Sequence, residues 1–154
     1  MPKKIPISLE LLADMETPLS VYKKLANKPF SYLFESVEGG DKWARYSLIG
    51  LPASRVIKIY QNKIQISKDG KIEEEIVSPD PLKFLEDYQD NIKVKLNDNL
   101  PKFIGGLVGY FGYDCIRYIE TKLANPKLPD PLGTPDALFM ISEEVAVFDN
   151  LNNK

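Results

Sequence analysis

The sequence has no histidine and only one cysteine, Cys115, among its 154 residues. Without histidine there is no imidazole for general acid–base catalysis, for Ser-His or Cys-His nucleophile pairs, or for binding a transition metal. A single cysteine excludes an intrachain disulfide and a cysteine-based zinc site, and it fits a reducing compartment. The Asp, Glu, Lys and Tyr residues that remain for acid–base work are scattered along the chain, so no complete active site is predicted.

The sequence also lacks a long hydrophobic run and an excess of one charge. No apolar stretch approaches the roughly 20 residues that span a bilayer, and no signal-type apolar segment follows Met1-Pro2-Lys3-Lys4. Twenty basic and 22 acidic side chains give a formal charge of -2, which is too balanced for a nucleic-acid-binding surface. We therefore expect a cytoplasmic protein whose partners include neither a membrane nor a nucleic acid.

The residues that are present predict one α+β domain in which antiparallel strands predominate. Helices are predicted from Pro18, from Pro81 to about Asp90, and over Tyr113–Ile119. Turn-forming residues at 61–62 and 68–70 predict an antiparallel meander between residues 56 and 77, and four prolines between 126 and 135 predict a loop. The predicted strands are 30–37, 46–49, 56–60, 64–66, 72–77, 103–112, 137–141 and 145–149.

A glycine-rich block over residues 105–112 invites comparison with phosphate-binding loops. It matches neither Gly-x-Gly-x-x-Gly nor a loop that ends in Gly-Lys-Ser/Thr. Its glycines alternate with aromatic residues, which favours a buried strand pressed closely against other backbone. Just beyond it, Asp114 and Arg117 have helical spacing and are predicted to form a surface ion pair.

A candidate ligand site lies where the first predicted strand ends, at Glu35 and Ser36, and where the next one begins, at Arg45. The apolar residues around it are Leu33, Phe34 and Tyr46. An aromatic amino acid needs an anion for its ammonium group, donors for its carboxylate and an apolar slot for its ring. These side chains supply such groups within a short stretch of sequence. An ordinary hairpin in which Arg45 pairs with Glu35, Glu38 or Asp41 is an open alternative.

Two blocks of sequence resemble a known family. They are Leu33-Phe34-Glu35-Ser36 with the Gly-Gly-Asp-Lys-Trp-Ala-Arg-Tyr-Ser-Leu-Ile-Gly run that follows, and Gly-Gly-Leu-Val-Gly-Tyr-Phe-Gly-Tyr-Asp over residues 105–114. Together with the Thr17-Pro18 helix start and Val147-Phe148-Asp149, they resemble the amino-terminal region of anthranilate synthase component I. Phe34 departs from the family, many members of which carry leucine there.

The resemblance implies that residues 1–154 form a regulatory and structural amino-terminal domain of the sandwich fold shared by chorismate-utilising enzymes. The whole enzyme would be a carbon–oxygen lyase that makes anthranilate for tryptophan biosynthesis. Its catalytic domain, which holds Mg²⁺, would be absent from this chain, so the chain alone is expected to be inactive. The partners implied are that catalytic domain, the glutamine amidotransferase subunit (component II) and tryptophan as feedback inhibitor. Carried over by position, the tryptophan-binding residues are Leu33, Glu35, Ser36 and Arg45.

Two alternatives stay open at this point. Aminodeoxychorismate synthase component I shares the fold and similar blocks, although the run from Val37 to Trp43 favours the anthranilate enzyme. Outside the family, the chain would be a stand-alone module that binds an amino acid or another protein.

Overall fold

The structure is a computed structural model that describes residues 5–35, 45–92, 94, 100–124 and 130–154. Over these residues it is α+β with antiparallel strand pairs, as predicted. Within these ranges, α-helices cover Pro18–Leu25 (α1) and Pro81–Ile92 (α2), and short 3-10 helices cover Tyr113–Tyr118 and Thr121–Leu123. The strands are β1 (Tyr32–Phe34), β2 (Tyr46–Gly50), β3 (Arg55–Tyr60), β4 (Lys63–Lys68), β5 (Lys71–Val77), β6 (Gly106–Phe111), β7 (Ala137–Ser142) and β8 (Val145–Asp149).

The chain divides into two compact units, each made of separate stretches of sequence. The first unit comprises Met1–Ala53, Val94–Gly106 and Ser142–Lys154. It contains a three-stranded sheet in the order β1-β2-β8, and both strand pairs are antiparallel. Pairing of β2 with β8 therefore joins stretches about 100 residues apart in sequence within the first unit.

Helix α1 begins with a reciprocal cap in the first unit. The Thr17 hydroxyl accepts a hydrogen bond from the Ser20 backbone N–H at 3.1 Å, and the Ser20 hydroxyl accepts one from the Thr17 N–H at 2.9 Å. Two backbone donors that a helix start leaves without a partner are thus satisfied. Pro18 occupies the first turn, where its missing N–H costs no hydrogen bond. The predicted helix start is confirmed.

The second unit comprises Ser54–Lys93 and Leu107–Ile141, and its five-stranded sheet has the order β5-β4-β3-β7-β6. Strands β3, β4 and β5 pair in succession and antiparallel, which confirms the predicted meander. Gln61, Asp69 and Gly70 take positive φ angles at its two turns. The core of this unit is formed by buried residues Ile57, Ile59, Ile64, Ile66, Leu85, Cys115, Ala137, Phe139 and Ile141.

Strand β6 differs from the predicted buried strand over residues 103–112. It is shorter, and only Val108 is buried, whereas Tyr110 and Phe111 are 43% and 58% exposed. The physical reason is its place at the end of the sheet order, since an edge strand packs against fewer neighbours. The predicted close backbone contact is confirmed at Gly109, where an added Cβ would lie 1.8 Å from the Leu138 carbonyl oxygen.

Two boundaries and one helix type also differ from the sequence prediction. Strand β1 begins at Tyr32 rather than residue 30, because Phe30 has a φ of 60°, outside the strand region. Helix α2 continues to Ile92, past the Asp90-Asn91 pair expected to close it. The segment after Gly112 is a 3-10 helix over Tyr113–Tyr118. It carries the predicted ion pair, with Arg117 Nη2 2.9 Å from Asp114 Oδ1.

Candidate functional site

The antiparallel pairing of β1 with β2 brings the two described parts of the predicted site to one end of the first unit's sheet. Phe34, the last residue of β1, lies opposite Leu48. Glu35 therefore leaves β1 at the end of the sheet where Arg45 enters β2. Ser36, the fourth predicted residue, lies outside the described residues, as do Glu38 and Asp41.

Leu33 and Glu35 differ in burial. Leu33 is half-buried and lies opposite Ile49, which is fully buried and in turn lies opposite Ala146 of β8. Residues opposite each other share a sheet face, so Leu33 lies in an apolar row across all three strands. Glu35 follows the strand and is exposed. The arrangement places an apolar side chain beside a carboxylate in water.

Arg45 makes a two-pronged ion pair with Asp149, the last residue of β8. Its Nε donates to both carboxylate oxygens, at 3.1 Å to Oδ1 and 3.2 Å to Oδ2, and its Nη2 donates to Oδ2 at 2.7 Å. The alternative drawn from the sequence named Glu35, Glu38 or Asp41 as the partner of Arg45. The acid that the structure pairs with Arg45 is instead 104 residues away in sequence, because β8 returns beside β2.

The Asp149 carboxylate also organises the turn that follows β8. It accepts hydrogen bonds from the Leu151 N–H at 3.0 Å, from the Asn152 N–H at 3.3 Å and from the Asn152 side-chain amide at 2.9 Å. Hydrogen bonds from Arg45 above all, and then from Asn152 and Leu151, hold the pKa of Asp149 well below its usual range. The same contact raises the pKa of the Arg45 guanidinium. Both groups are therefore charged at neutral pH.

Further contacts fix the first residues of β2 to this turn. The Asn150 N–H donates to the Arg45 carbonyl oxygen at 2.8 Å, and the Asn150 side-chain amide donates to the buried Ser47 hydroxyl at 3.3 Å. The Arg45 guanidinium carbon lies 4.9 Å from the centre of the Tyr46 ring, within cation–π range. Arg45 is thus held by its backbone, by an aromatic ring and by a carboxylate.

Sequence reasoning missed Asp149 and Asn150 as parts of this site. The available signal was the Asp-Asn-Leu-Asn-Asn segment over residues 149–153, which predicts a turn. A turn-forming pattern does not indicate which distant strand it will meet. Only the antiparallel register of Tyr46 opposite Asp149 brings this turn to Arg45.

The described residues contain no group of three or more His, Cys, Asp or Glu side chains placed to hold a metal ion. Within the same ranges, no helix is both long and apolar enough to cross a membrane. The chemistry available at the sheet end is a carboxylate, a guanidinium and an apolar side chain. Those groups are suited to a small zwitterion with an apolar part.

This chain is similar to anthranilate synthase component 1 of several bacteria. It is 54% identical over 151 residues to anthranilate synthase component 1 of Pseudomonas aeruginosa and 48% identical over 154 residues to that of Neisseria meningitidis. Each alignment covers 98% of this chain and 31% of the relative. The crystal structure of anthranilate synthase component I from Streptococcus pneumoniae matches with a TM-score of 0.53 and 26% identity, over 97% of this chain and 31% of that one. No protein-family model matches.

The chain thus spans about a third of the length of the curated relatives it matches. The relatives confirm the resemblance that the two sequence blocks indicated, and the structural match confirms the fold. Their names agree with the anthranilate enzyme rather than with aminodeoxychorismate synthase.

Proposed function

We propose that this chain, which is similar over nearly its whole length to the amino-terminal part of anthranilate synthase component I, carries the tryptophan feedback-inhibition element of such an enzyme. The whole enzyme converts chorismate to anthranilate in the cytoplasm, as a carbon–oxygen lyase. Mg²⁺ and the acid–base groups belong to the catalytic domain, and component II is the partner that supplies ammonia. This chain contributes regulation rather than chemistry.

The observation that supports the regulatory role is strand geometry: β1 ends just before Glu35 at the same end of the β1–β2 pair at which β2 begins just after Arg45, and Leu33 of β1 is half-buried. Tryptophan as a zwitterion carries an ammonium group that a carboxylate attracts and a carboxylate that a guanidinium binds through paired hydrogen bonds. Its indole ring gains from leaving water for an apolar surface. Ser36, adjacent to Glu35 in sequence, completes the proposed set.

Regulation requires that tryptophan binding and catalysis be coupled. A ligand shifts a conformational equilibrium only when it binds one state more tightly than the other. We propose that tryptophan favours an arrangement of the two parts of the enzyme in which chorismate is not converted. Because coupling is reciprocal for binding, chorismate should weaken tryptophan binding by the same factor.

The test uses the complete natural polypeptide that contains this chain, with chorismate, Mg²⁺ and ammonia, and follows anthranilate fluorescence while tryptophan is added. Glu35→Gln keeps the side chain's shape and removes its charge, so the tryptophan concentration for half-inhibition should rise by roughly tenfold or more. Asp114→Asn is the matched control: it also removes one negative charge, but from the ion pair in the second unit. It should leave inhibition unchanged.

Equal sensitivity of Glu35→Gln and the parent to tryptophan would show that the pocket lies elsewhere. Absence of anthranilate from the complete polypeptide would overturn the enzyme assignment itself. The 154-residue chain alone, given the same substrates, should produce no fluorescence above a blank without protein.

A further inference from the structure

Arginine can bind carboxylates along two edges of its planar guanidinium group. One edge is formed by Nε and the nearer N–H of Nη2, and the other by Nη1 and the outer N–H of Nη2. In this structure Asp149 occupies the first edge, through the bonds from Nε and Nη2. The second edge hydrogen-bonds no residue within the described ranges. Among the described residues, the guanidinium thus has one edge fixed by Asp149 and a second edge without a hydrogen-bond partner.

The Asp149 carboxylate is itself held rigidly. It closes the turn after β8 by accepting from the Leu151 and Asn152 N–H groups and from the Asn152 amide, and only 15% of its side chain is exposed. A long arginine side chain has many rotamers, and fixing them costs free energy when a ligand must do it. Here a turn 104 residues away fixes them before any ligand arrives.

We propose that Asp149 is a positioning residue of the amino-acid site, which holds Arg45 so that its second guanidinium edge binds the ligand carboxylate. The inference rests on the proposed tryptophan site and adds a residue to it. Asp149 does not touch the ligand. The ligand carboxylate takes the second edge while the Asp149 bonds stay in place, and the guanidinium also lies over the Tyr46 ring, 4.9 Å from its centre.

The test compares Asp149→Asn with Asp114→Asn in the complete natural polypeptide. Each variant removes one carboxylate charge that pairs with an arginine, and each is nearly isosteric. Calorimetric titration with L-tryptophan should give a Kd about tenfold higher for Asp149→Asn, which corresponds to about 1.4 kcal/mol. The Asp114→Asn protein should bind as the parent does. Asp149→Glu keeps the charge but displaces it by one methylene, so its Kd should lie between the two.

A second readout reports on Arg45 without any ligand. In protein labelled with ¹⁵N-arginine, the Arg45 Nε–H resonance should exchange slowly with water in the parent and in Asp114→Asn. It should exchange fast in Asp149→Asn, where the strong acceptor is gone. Asn152→Ala removes one bond to Asp149 but leaves its carboxylate, so it should preserve the Arg45 resonance. That variant separates loss of the Arg45 contact from loosening of the turn.

Unchanged tryptophan binding by Asp149→Asn would overturn the proposal, because Asp149 would then contribute nothing to ligand binding. Tighter binding would also overturn it, because the acid would then compete with the ligand rather than position Arg45. If Asp149→Asn fails to fold, Asp149→Glu decides, and binding equal to the parent's overturns the proposal. If the parent does not bind tryptophan at all, the proposed function fails. The Arg45 resonance then tests the positioning contact by itself, and slow exchange in Asp149→Asn would overturn that too.

Discussion

Two arginine–aspartate pairs in this protein have similar N–O distances and different surroundings. Arg45 and Asp149 meet at 2.7 Å across β2 and β8, and Arg117 and Asp114 meet at 2.9 Å within one 3-10 helix. The Asp149 side chain is 15% exposed and that of Asp114 is 43% exposed. Spacing along the sequence predicted the local pair, whereas no local pattern indicated the distant one.

The difference shows what a long-range contact adds to an ion pair. Asp149 is surrounded by donors from its own turn, so its carboxylate is held in one place and Arg45 with it. Asp114 pairs with a side chain one helical turn away, and water competes for both partners. The distant pair is therefore expected to contribute more both to stability and to ligand binding.

The largest difference in stability between a long-range and a local constraint is expected at two glycines, Gly109 and Gly70. At Gly109, an added Cβ would lie 1.8 Å from the Leu138 carbonyl oxygen, and displacing the backbone of β7 to relieve this clash costs free energy. Gly109→Ala should therefore destabilise the protein by about 3 kcal/mol. At Gly70 the Cβ would meet nothing within 4 Å, so Gly70→Ala should cost only about 1 kcal/mol for its positive φ. Urea denaturation of both variants measures the difference, and equal losses would contradict it.

Replacing Asp149 should have the next largest effect, about 1–2 kcal/mol for Asp149→Ala, since Arg45 and two backbone N–H groups lose their acceptor. The pKa of Asp149 is depressed in the folded protein, so its contribution is present above the unfolded-state value of about 3.9. It is lost as pH falls towards the lower folded-state pKa.

The loss of unfolding free energy in Asp149→Ala should accordingly be constant from about pH 7 to pH 5 and shrink below about pH 4. Chemical denaturation of parent and variant at several pH values measures this. A difference that grows in acid would show that the carboxylate is not stabilised as an anion.

The smallest effect is expected for Asp114→Asn, which should change the unfolding free energy by no more than about 0.5 kcal/mol. Its pair with Arg117 is exposed, so 1 M salt should remove most of even that difference. The effect of Asp149→Ala should persist in salt, because the pair at β2 is partly buried. Denaturation at low and high salt tests both statements, and a larger loss at Asp114 would reverse the comparison.

Much of the architecture was predictable because its determinants are close together in sequence. Thr17, Pro18 and Ser20 specify a helix start through bonds within one turn. Gln61 and the Asp69-Gly70 pair provide the positive φ angles that the meander's turns require. The pattern of apolar residues placed the strand boundaries within one or two residues, apart from the start of β6. The predicted end of β1 at residue 37 lies outside the described residues.

Tertiary structure alone decided which faces and partners those elements have. The sequence placed Leu33, Glu35 and Arg45 near one another, but pairing of β2 with β8 is what brings Asp149 to Arg45. The edge position of β6 likewise leaves Tyr110 and Phe111 exposed, although the sequence pattern predicted a buried strand there. The physical reason is common to both cases. Hydrogen-bonding and burial of a residue depend on neighbours set by strand order and register, which short-range periodicity does not encode.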